Sequence, residues 1–327
     1  MPQKKQFYKE FNTLDYVLRN ARAILLVPHV NPDLDAAGSV SALYGFIKKH
    51  YKKNTVTITC FDPMPESMKE IMPNIVFVHP NKIRVEDFDV IIGCDSVERG
   101  FDKIIKSASK ECVTVTIDHH HDITIESDLR IIDEKCAATC EILYDFFVSR
   151  NTDSFDKDIA TALLSGIIGD TGAFQHANTS AEILSMSSNL IKYGASITKI
   201  ISTLFANRKI ETLNLWGKAL EQTKFFPESG LAVTAITGSS MDGHAANSTE
   251  ASNIASMLTT VPSVKAALII CQVGKNTIKG SLRAEKHANI DVSAVAHTLG
   301  GGGHPLASGF SIPGRIETTE DGGWKIV

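Results

Sequence analysis

The stretch Val113–Asp122, "VTVTIDHHHD", joins a run of β-branched residues directly to three adjacent histidines held between two aspartates. β-Branched residues favour strands, and a continuous run of them is typical of a strand that is buried on both faces. Three neighbouring imidazoles at the end of such a strand have little packing value. The stretch therefore predicts a buried strand that ends in a functional polar segment.

Similar strand patterns precede this stretch, and helical patterns alternate with them. Apolar residues recur at helical spacing in "AAGSVSALYGFIKKH" at 36–50, and the strand-like runs are "AILLVPHV" at 23–30, "NTVTITCF" at 54–61, "NIVFVH" at 74–79 and "FDVIIGCD" at 88–95. Strands that alternate with helices predict right-handed crossovers and a mainly parallel sheet. The fold class is therefore α/β, with a mainly parallel sheet flanked by helices.

The second half of the chain divides into a helical part and a further α/β part. Helical patterns cover 160–169, 182–193 and 209–224, and the break "FPESG" at 226–230 is followed by the strand-like runs "LAVTAIT", "VKAALIICQV" and "TIKGSLRAE". We predict a first domain at 1–205, a connector helix at 206–224 and a smaller α/β domain at 225–327, with a cleft between the two domains.

Composition and charge exclude several classes of function. The chain has 327 residues, 43% of them hydrophobic, and its 33 basic and 37 acidic residues give a formal net charge of −4. A protein that coats long duplex nucleic acid usually carries a positive field, so we expect no such partner. The polar first residues lack an apolar signal core, and no apolar run is long enough for a membrane span. We expect a cytoplasmic protein without a membrane partner.

Acidic and imidazole side chains follow several of the predicted elements. Ligands of open parallel sheets bind beyond the carboxyl ends of the strands, so side chains at these ends are candidates for one site. Three strand ends and the end of the helix at 160–169 supply candidates, namely His29, Asp33, Asp35, Asp95, His119 and Asp170.

Several carboxylates that converge on one crevice repel one another unless cations neutralise them. A mixed set of oxygen and imidazole donors suits Mn²⁺ or Mg²⁺-like ions. Six ligands are too many for one catalytic ion, whereas two ions about 3.5–4 Å apart would share a bridging carboxylate and polarise both the attacking and the leaving oxygen. The pattern thus indicates hydrolysis at phosphorus.

Four of these six residues also have a plain structural interpretation. Asp35 is a candidate cap for the helix that follows it, and His29 a candidate for a hydrogen-bonded residue at the end of a strand. Asp95 and Asp170 fit turns at the ends of their elements. Taken one at a time, these interpretations are favoured; for the four clusters together, a purely structural role has little support.

The ordered motifs resemble the DHH phosphoesterase superfamily over essentially the whole chain. "HVNPDLDAAGS" at 29–39 matches the first motif, Asp95 the lone aspartate at a strand end, Asp118-His119-His120 the signature, and Asp170-Thr171-Gly172 the last motif of the catalytic domain. "GGGGHPLASGF" at 300–310 is similar to the glycine-rich signature of the DHH-associated C-terminal domain.

The resemblance implies a division of labour among these residues. One ion would be held by His29, Asp33 and Asp95, and the other by Asp35, Asp95, His119 and Asp170, with Asp95 as the bridge. His120 would donate to the scissile phosphate, Asp118 would orient a histidine, and a metal-activated hydroxide would be the nucleophile. The cofactors would be two Mn²⁺, or Mg²⁺ or another divalent metal. His121 has no implied role.

The second domain carries residues suited to a phosphate. The glycines let a backbone approach an anion and turn N–H groups towards it, and an arginine fork binds a phosphate bidentately. We therefore predict substrate binding in this domain, although a flexible glycine loop and a solvated arginine are the structural alternatives. The candidate residues are Ser281, Arg283, Gly301, Gly302, Gly303 and His304.

The resemblance is greatest to the stand-alone oligoribonuclease and 3′-phosphoadenosine-5′-phosphate phosphatase type, and it suggests a homodimer. It implies that very short RNA is cut to mononucleotides and that the bisphosphate is converted to AMP. Alternatives are a phosphodiesterase for cyclic or linear dinucleotide signals such as c-di-AMP and pApA, an inorganic pyrophosphatase, and a catalytically silent nucleotide-binding protein. Gln175 and His176, after the last catalytic-domain motif, leave substrate preference open.

Overall fold

The computed structural model describes residues 7–96, 100–121, 123–150, 153–205, 210–236, 248–285, 288–319 and 323–327. The first residues of the predicted connector helix, 206–209, lie outside these ranges. The chain divides into two compact units, 1–207 and 208–327.

The first unit contains a six-stranded sheet with helices around it. Its strands are β1 (Ala23–Val27), β2 (Thr55–Thr59), β3 (Phe77–Val78), β4 (Val90–Cys94), β5 (Val113–Asp118) and β6 (Leu129–Ile132). Its helices are α1 (Tyr8–Asn20), α2 (Leu34–His50), α3 (Glu66–Ile71), α4 (Phe101–Ile105), α5 (Thr139–Arg150), α6 (Lys157–Asp170), α7 (Ala181–Lys192) and α8 (Ile197–Phe205).

All neighbouring strands of this sheet are parallel, in the order β3-β2-β1-β4-β5-β6. The order reverses between β1 and β4, so the crevice beyond the carboxyl ends of these two strands is the topological switch point where such sheets bind ligands. The strands are buried on both faces: Ile24 and Leu26 belong to the larger core, and Leu25 and Val27 to a smaller core on the opposite face.

The second unit contains helices on a mixed sheet. Its helices are α9 (Ile210–Glu221), α10 (Ser248–Thr259) and α11 (Val292–Thr298), and its strands are β7 (Lys224–Phe226), β8 (Leu231–Ile236), β9 (Ala266–Gly274), β10 (Thr277–Ala284), β11 (Gly302–His304), β12 (Ala307–Pro313), β13 (Ile316–Thr318) and β14 (Trp324–Ile326).

Six of these strands form one sheet in the order β11-β12-β10-β9-β8-β7, in which only β8 and β9 are parallel, and β13 pairs with β14. Leu215 and Ala219 of α9 pack into the core of this unit. The predicted α/β class, with a parallel sheet and a second smaller domain, is confirmed. Among the described residues, none of the helices combines the length and apolar content that crossing a membrane requires.

Candidate metal centre

The loop after β1 holds a buried histidine beside a helix cap. His29 Nδ1 pairs with the Val30 carbonyl at 2.7 Å, which directs Nε2 towards Asp33 Oδ2 at 3.5 Å and Asp95 Oδ2 at 3.7 Å. Asp33 Oδ1 accepts the N–H groups of Asp35 and Ala36, both at 3.0 Å, and so caps α2. The other carboxylate oxygen of Asp33 thus remains for the site.

Asp35 is not the helix cap that its structural interpretation required, because Asp33 occupies that position. Asp35 lies in the first turn of α2 and is fully buried. Its Oδ2 accepts the N–H of Thr139 at 2.6 Å and its Oδ1 that of Cys140 at 3.0 Å. Two backbone amides at the start of α5 therefore fix the orientation of this carboxylate.

Asp95 lies at the centre of the cluster. It follows β4 directly and takes the left-handed backbone conformation with φ 52°. Its Oδ2 faces His29. Its Oδ1 lies 3.7 Å from His119 Nε2 and 3.2 Å from His120 Nδ1. The carboxylate of Asp95 thus lies between the imidazole that follows β1 and the two imidazoles that follow β5, which is the position a bridging ligand needs.

Asp118, the last residue of β5, is fully buried and organises the histidines that follow it. It accepts the N–H of His119 at 2.8 Å and that of Ser96 at 3.0 Å, and the N–H and Nδ1 of His120 at 3.1 and 2.9 Å. His121 instead pairs with Glu134 at 2.7 Å, on a more exposed part of the surface. These contacts support an orienting role for Asp118 and separate His121 from the cluster.

Asp170 joins the cluster from the end of α6. Its Oδ2 lies 3.2 Å from His119 Nε2, which is also 4.0 Å from Asp35 Oδ2. The chain then turns back, and the Asp170 carbonyl accepts hydrogen bonds from His176 Nδ1 and Asn178 Nδ2, each at 3.2 Å. His176 therefore braces Asp170 from behind, and Gln175 is exposed.

The electrostatics of the cluster are those of an anionic site in need of cations. Burial, together with the charges of Asp170 and Asp95, raises the pKa of Asp35 well above its usual range. Burial opposes protonation of His29, but Asp33 and Asp95 outweigh it and raise the pKa of His29 to about 9. Protons on imidazoles thus compensate carboxylates where metal ions are lacking.

The residues present fit divalent ions. In the part of the chain that the structure describes, three groups of side chains each bring their donor atoms within 4.8 Å of one another, namely His29 with Asp33 and Asp95, Asp35 with His119 and Asp170, and Asp95 with His119 and His120. His29 Nε2 is buried without a hydrogen-bond partner. Buried polar atoms are normally paired, so this nitrogen is suited to bind a metal ion. Carboxylate and imidazole donors suit Mn²⁺ and Mg²⁺-like ions.

The predicted phosphate-binding residues lie in and around one sheet of the second unit. Ser281 and Arg283 are on β10, where Ser281 pairs with Gly309 and Arg283 with Ala307 of β12. Gly302–His304 form β11 at the edge of that sheet, so the last two glycines of the run belong to a strand. His304 Nδ1 accepts the Leu306 N–H at 3.2 Å, so the neutral ring carries its proton on Nε2.

Gly301 contributes to this region differently from the prediction. Its N–H donates to the Ala296 carbonyl at 2.9 Å and closes the end of α11, so this N–H is not turned towards an anion. A Cβ at this position would lie 2.1 Å from the Gly309 carbonyl oxygen. Gly301 therefore permits close backbone packing, and the phosphate-binding role of the neighbouring residues stays a prediction.

Sequence reasoning missed Thr139 and Cys140, whose N–H groups hold Asp35. The available signal was Glu141, an acidic residue in the first turn of α5, whose Oε2 accepts the Ala137 N–H at 2.8 Å. Such a glutamate marks the start of a helix, but it does not indicate that the first amides of the helix face a carboxylate 104 positions earlier in the chain.

Comparison with known proteins finds relatives that match most of the chain. The chain is 27% identical over 297 residues to the bifunctional oligoribonuclease and PAP phosphatase NrnA of Bacillus subtilis (strain 168). The aligned region covers 88% of this chain and 89% of the relative. A Thermus thermophilus protein with the same name is 26% identical over 291 residues, with 89% of this chain and 84% of the relative covered.

The crystal structure of an exopolyphosphatase-related protein from Bacteroides fragilis has a TM-score of 0.84 at 20% identity, and covers 92% of this chain and 90% of that chain. This likeness concerns the fold. Two family models also match, the DHH family, N-terminal domain at residues 23–167 and the DHHA1 domain at residues 229–321. These two matches follow one another along the chain, which therefore carries a DHH N-terminal domain followed by a DHHA1 domain.

Proposed function

We propose that this chain, a phosphoric-ester hydrolase of the DHH family, uses two Mn²⁺ ions to cut very short RNA to mononucleotides and to convert 3′-phosphoadenosine-5′-phosphate to AMP. The observation that carries the proposal is the position of Asp95, with Oδ2 facing His29 and Oδ1 facing His119. The names of the relatives from Bacillus subtilis and Thermus thermophilus support the substrate class.

In this proposal His29, Asp33 and Asp95 hold one ion, and Asp35, Asp95, His119 and Asp170 hold the other. The ions would lower the pKa of a water molecule to near neutrality and stabilise the charge that develops on the phosphate. Mg²⁺ and other divalent metals also bind carboxylate oxygens, so they are assayed beside Mn²⁺.

We assign the contact with the phosphate to His120. Its Nδ1 faces Asp118 at 2.9 Å and Asp95 at 3.2 Å, which leaves Nε2 as the ring nitrogen available to a substrate. Burial opposes protonation of the ring, but in the protein without metal ions the carboxylates of Asp118 and Asp95 outweigh it and raise the pKa of His120 to about 10. A protonated His120 donates to a phosphate oxygen and later can release the proton to the leaving oxygen.

Substrate size is the part of the proposal that an assay tests most directly. The net charge of −4 leaves little basic surface to track a long backbone. With Mn²⁺ present, we expect higher kcat/KM for a dinucleotide and for 3′-phosphoadenosine-5′-phosphate than for long single-stranded RNA or pyrophosphate. Equal or better turnover of long RNA would contradict the short-substrate proposal, and dominant turnover of pyrophosphate or of cyclic dinucleotides would replace it with those alternatives.

Two substitutions separate the metal centre from substrate binding. Asp95→Ala removes the shared ligand, so we expect turnover to fall by more than about 100-fold, the upper range for residues that only support ligands, and Mn²⁺ binding by calorimetry to weaken at both positions. Arg283→Ala serves as the contrast: KM for the nucleotide should rise while Mn²⁺ binding stays that of the wild type. Near-full activity of Asp95→Ala would exclude a bridging role.

A further inference from the structure

Thr139 is a fully buried polar residue at the start of α5 that the ligand set does not include. Its N–H donates to Asp35 Oδ2 at 2.6 Å, and the N–H of Cys140 donates to Asp35 Oδ1 at 3.0 Å. Both oxygens of one carboxylate are therefore held by consecutive amides of a single helix.

The side chain of the same threonine reaches a second carboxylate. Thr139 Oγ1 lies 3.5 Å from Asp95 Oδ1, within reach of a hydrogen bond in which the hydroxyl donates. Asp35 belongs to α2 and Asp95 to the end of β4, so a single residue connects carboxylates that come from different elements.

The oxygens that Thr139 contacts are the oxygens that face His119. Asp35 Oδ2 lies 4.0 Å from His119 Nε2, and Asp95 Oδ1 lies 3.7 Å from the same nitrogen. The terminal torsion of an aspartate is soft, and two neighbouring carboxylates repel each other. His120 Nδ1 also faces Asp95 Oδ1, at 3.2 Å, and the Thr139 hydroxyl adds a second contact that links this oxygen to the residue whose N–H holds Asp35.

We propose that Thr139 is a positioning residue of the metal centre: its N–H and hydroxyl hold Asp35 Oδ2 and Asp95 Oδ1 at the separation that lets both bind the same divalent cation as His119. This inference rests on the proposed function, because it assumes that the cluster binds divalent ions. The other interpretation is that Thr139 only fills space at the start of α5, in which case its hydroxyl has no effect on metal affinity.

The test uses two comparisons on the whole chain, the wild type with Thr139→Val and Thr139→Ser with Thr139→Ala. In each comparison only the first protein has the hydroxyl. Thr139→Val keeps the shape and the backbone N–H of the wild type, and Thr139→Ala differs from Thr139→Ser by one oxygen. The probe is Mn²⁺ alone, titrated calorimetrically in the absence of substrate. We expect Thr139→Val to bind Mn²⁺ about 10-fold more weakly than the wild type, the usual loss when a partner of a ligand is removed, and Thr139→Ser to bind more tightly than Thr139→Ala.

Thr161→Val is the matched control. Thr161 is also a buried residue, but its hydroxyl donates to the Lys157 carbonyl within α6 at 2.6 Å rather than to a carboxylate. This variant should bind Mn²⁺ like the wild type. If Thr139→Val fails to fold by circular dichroism, the serine and alanine pair decides alone.

Wild-type affinity in Thr139→Val, or equal affinity in the serine and alanine variants, would overturn the inference and leave the proposed function intact. Absence of Mn²⁺ binding by the wild type would overturn the proposed function and this inference with it.

Discussion

At the scale of single residues, the backbone of Asp95 is the feature most closely tied to the chemistry. A non-glycine residue in the left-handed region costs about 1–3 kcal/mol and persists where its surroundings hold it. Asp95 has φ 52°, and its N–H donates to the Ile117 carbonyl at 3.0 Å. The conformation turns the carboxylate off the line of β4 and into the space between His29 and His119.

Position 166 in α6 requires glycine because the side chains of Asp35 and Cys140 fill the space that a Cβ would occupy. A Cβ there would lie 2.4 Å from both Asp35 Oδ1 and Cys140 Sγ. We expect Gly166→Ala to destabilise the protein by about 1–3 kcal/mol, the usual cost of overpacking, and to weaken Mn²⁺ binding because Asp35 must move. Urea denaturation and calorimetry measure the two effects.

Gly217 of α9 provides the control for this prediction. It also lies in a helix, but, apart from its chain neighbours and the backbone of its own helix, no heavy atom of the described residues is within 4 Å of its Cβ position. Gly217→Ala should therefore stabilise the protein by about 0.5–1 kcal/mol through helix propensity alone. A Gly166→Ala variant as stable as Gly217→Ala would show that the packing around Asp35 is looser than described.

At the scale of elements, strand order explains why distant residues meet. β1 and β4 are separated along the chain by two other strands, yet they are neighbours in the sheet. Parallel strands end at the same edge, so the loops that carry His29 and Asp95 emerge side by side. Asp170 reaches the same edge because α6 packs against α2, where Gly38 allows close contact with the Ala162 carbonyl.

The turn after α6 is the most strained element of the site. Gly172, Ala173 and Phe174 all have positive φ, 55°, 56° and 68°. A Cβ on Gly172 would also lie 2.3 Å from His176 Nε2, and His176 braces the carbonyl of Asp170. We expect Gly172→Ala to lower the free energy of unfolding by about 1–3 kcal/mol and to weaken Mn²⁺ binding as well.

Gly194→Ala distinguishes backbone strain from damage to the site. Gly194 follows α7 with φ 99°, so an alanine there pays a similar backbone cost, and its nearest neighbour atoms belong to Lys157 rather than to the cluster. It should lose stability with unchanged Mn²⁺ affinity. Equal Mn²⁺ affinity in the two variants would mean that the turn does not position Asp170.

At the scale of the whole molecule, the site couples metal binding to stability and to pH. The pKa of His29 is raised from 6.5 to about 9, so its protonation stabilises the metal-free protein below pH 6.5 and this stability is lost as the pH rises towards 9. The raised pKa of Asp35 acts in the same direction, because the charge on a buried carboxylate becomes a cost once its proton leaves.

Metal binding has the opposite pH dependence, because ligand imidazoles must lose their protons first. The difference in Tm between protein with Mn²⁺ and protein with a chelator should therefore grow from about pH 6.5 to about pH 8.5. Differential scanning calorimetry on the full chain measures it, with His29→Gln as the comparison that should show a smaller growth. A difference that shrinks over this range would contradict the assignment of His29 as a ligand.

The sequence by itself determined the α/β class and the donor types, because periodicity and strand-end residues are local properties. It placed His29, Asp95, His119 and Asp170 at the ends of elements, and the parallel direction of the strands follows from the alternation of strands and helices. The Asp118-His119-His120 run could be placed at the end of a strand for the same reason, because it directly follows a run of β-branched residues.

Only the tertiary structure decided which atoms meet. That Asp33 rather than Asp35 caps α2 depends on where the helix begins, and that Asp35 faces Thr139 depends on how α5 packs against α2. The amide of Gly301 was taken up by α11 for a similar reason. Hydrogen bonds between residues far apart in sequence leave no periodic signature, since they arise only when packed elements bring their ends together.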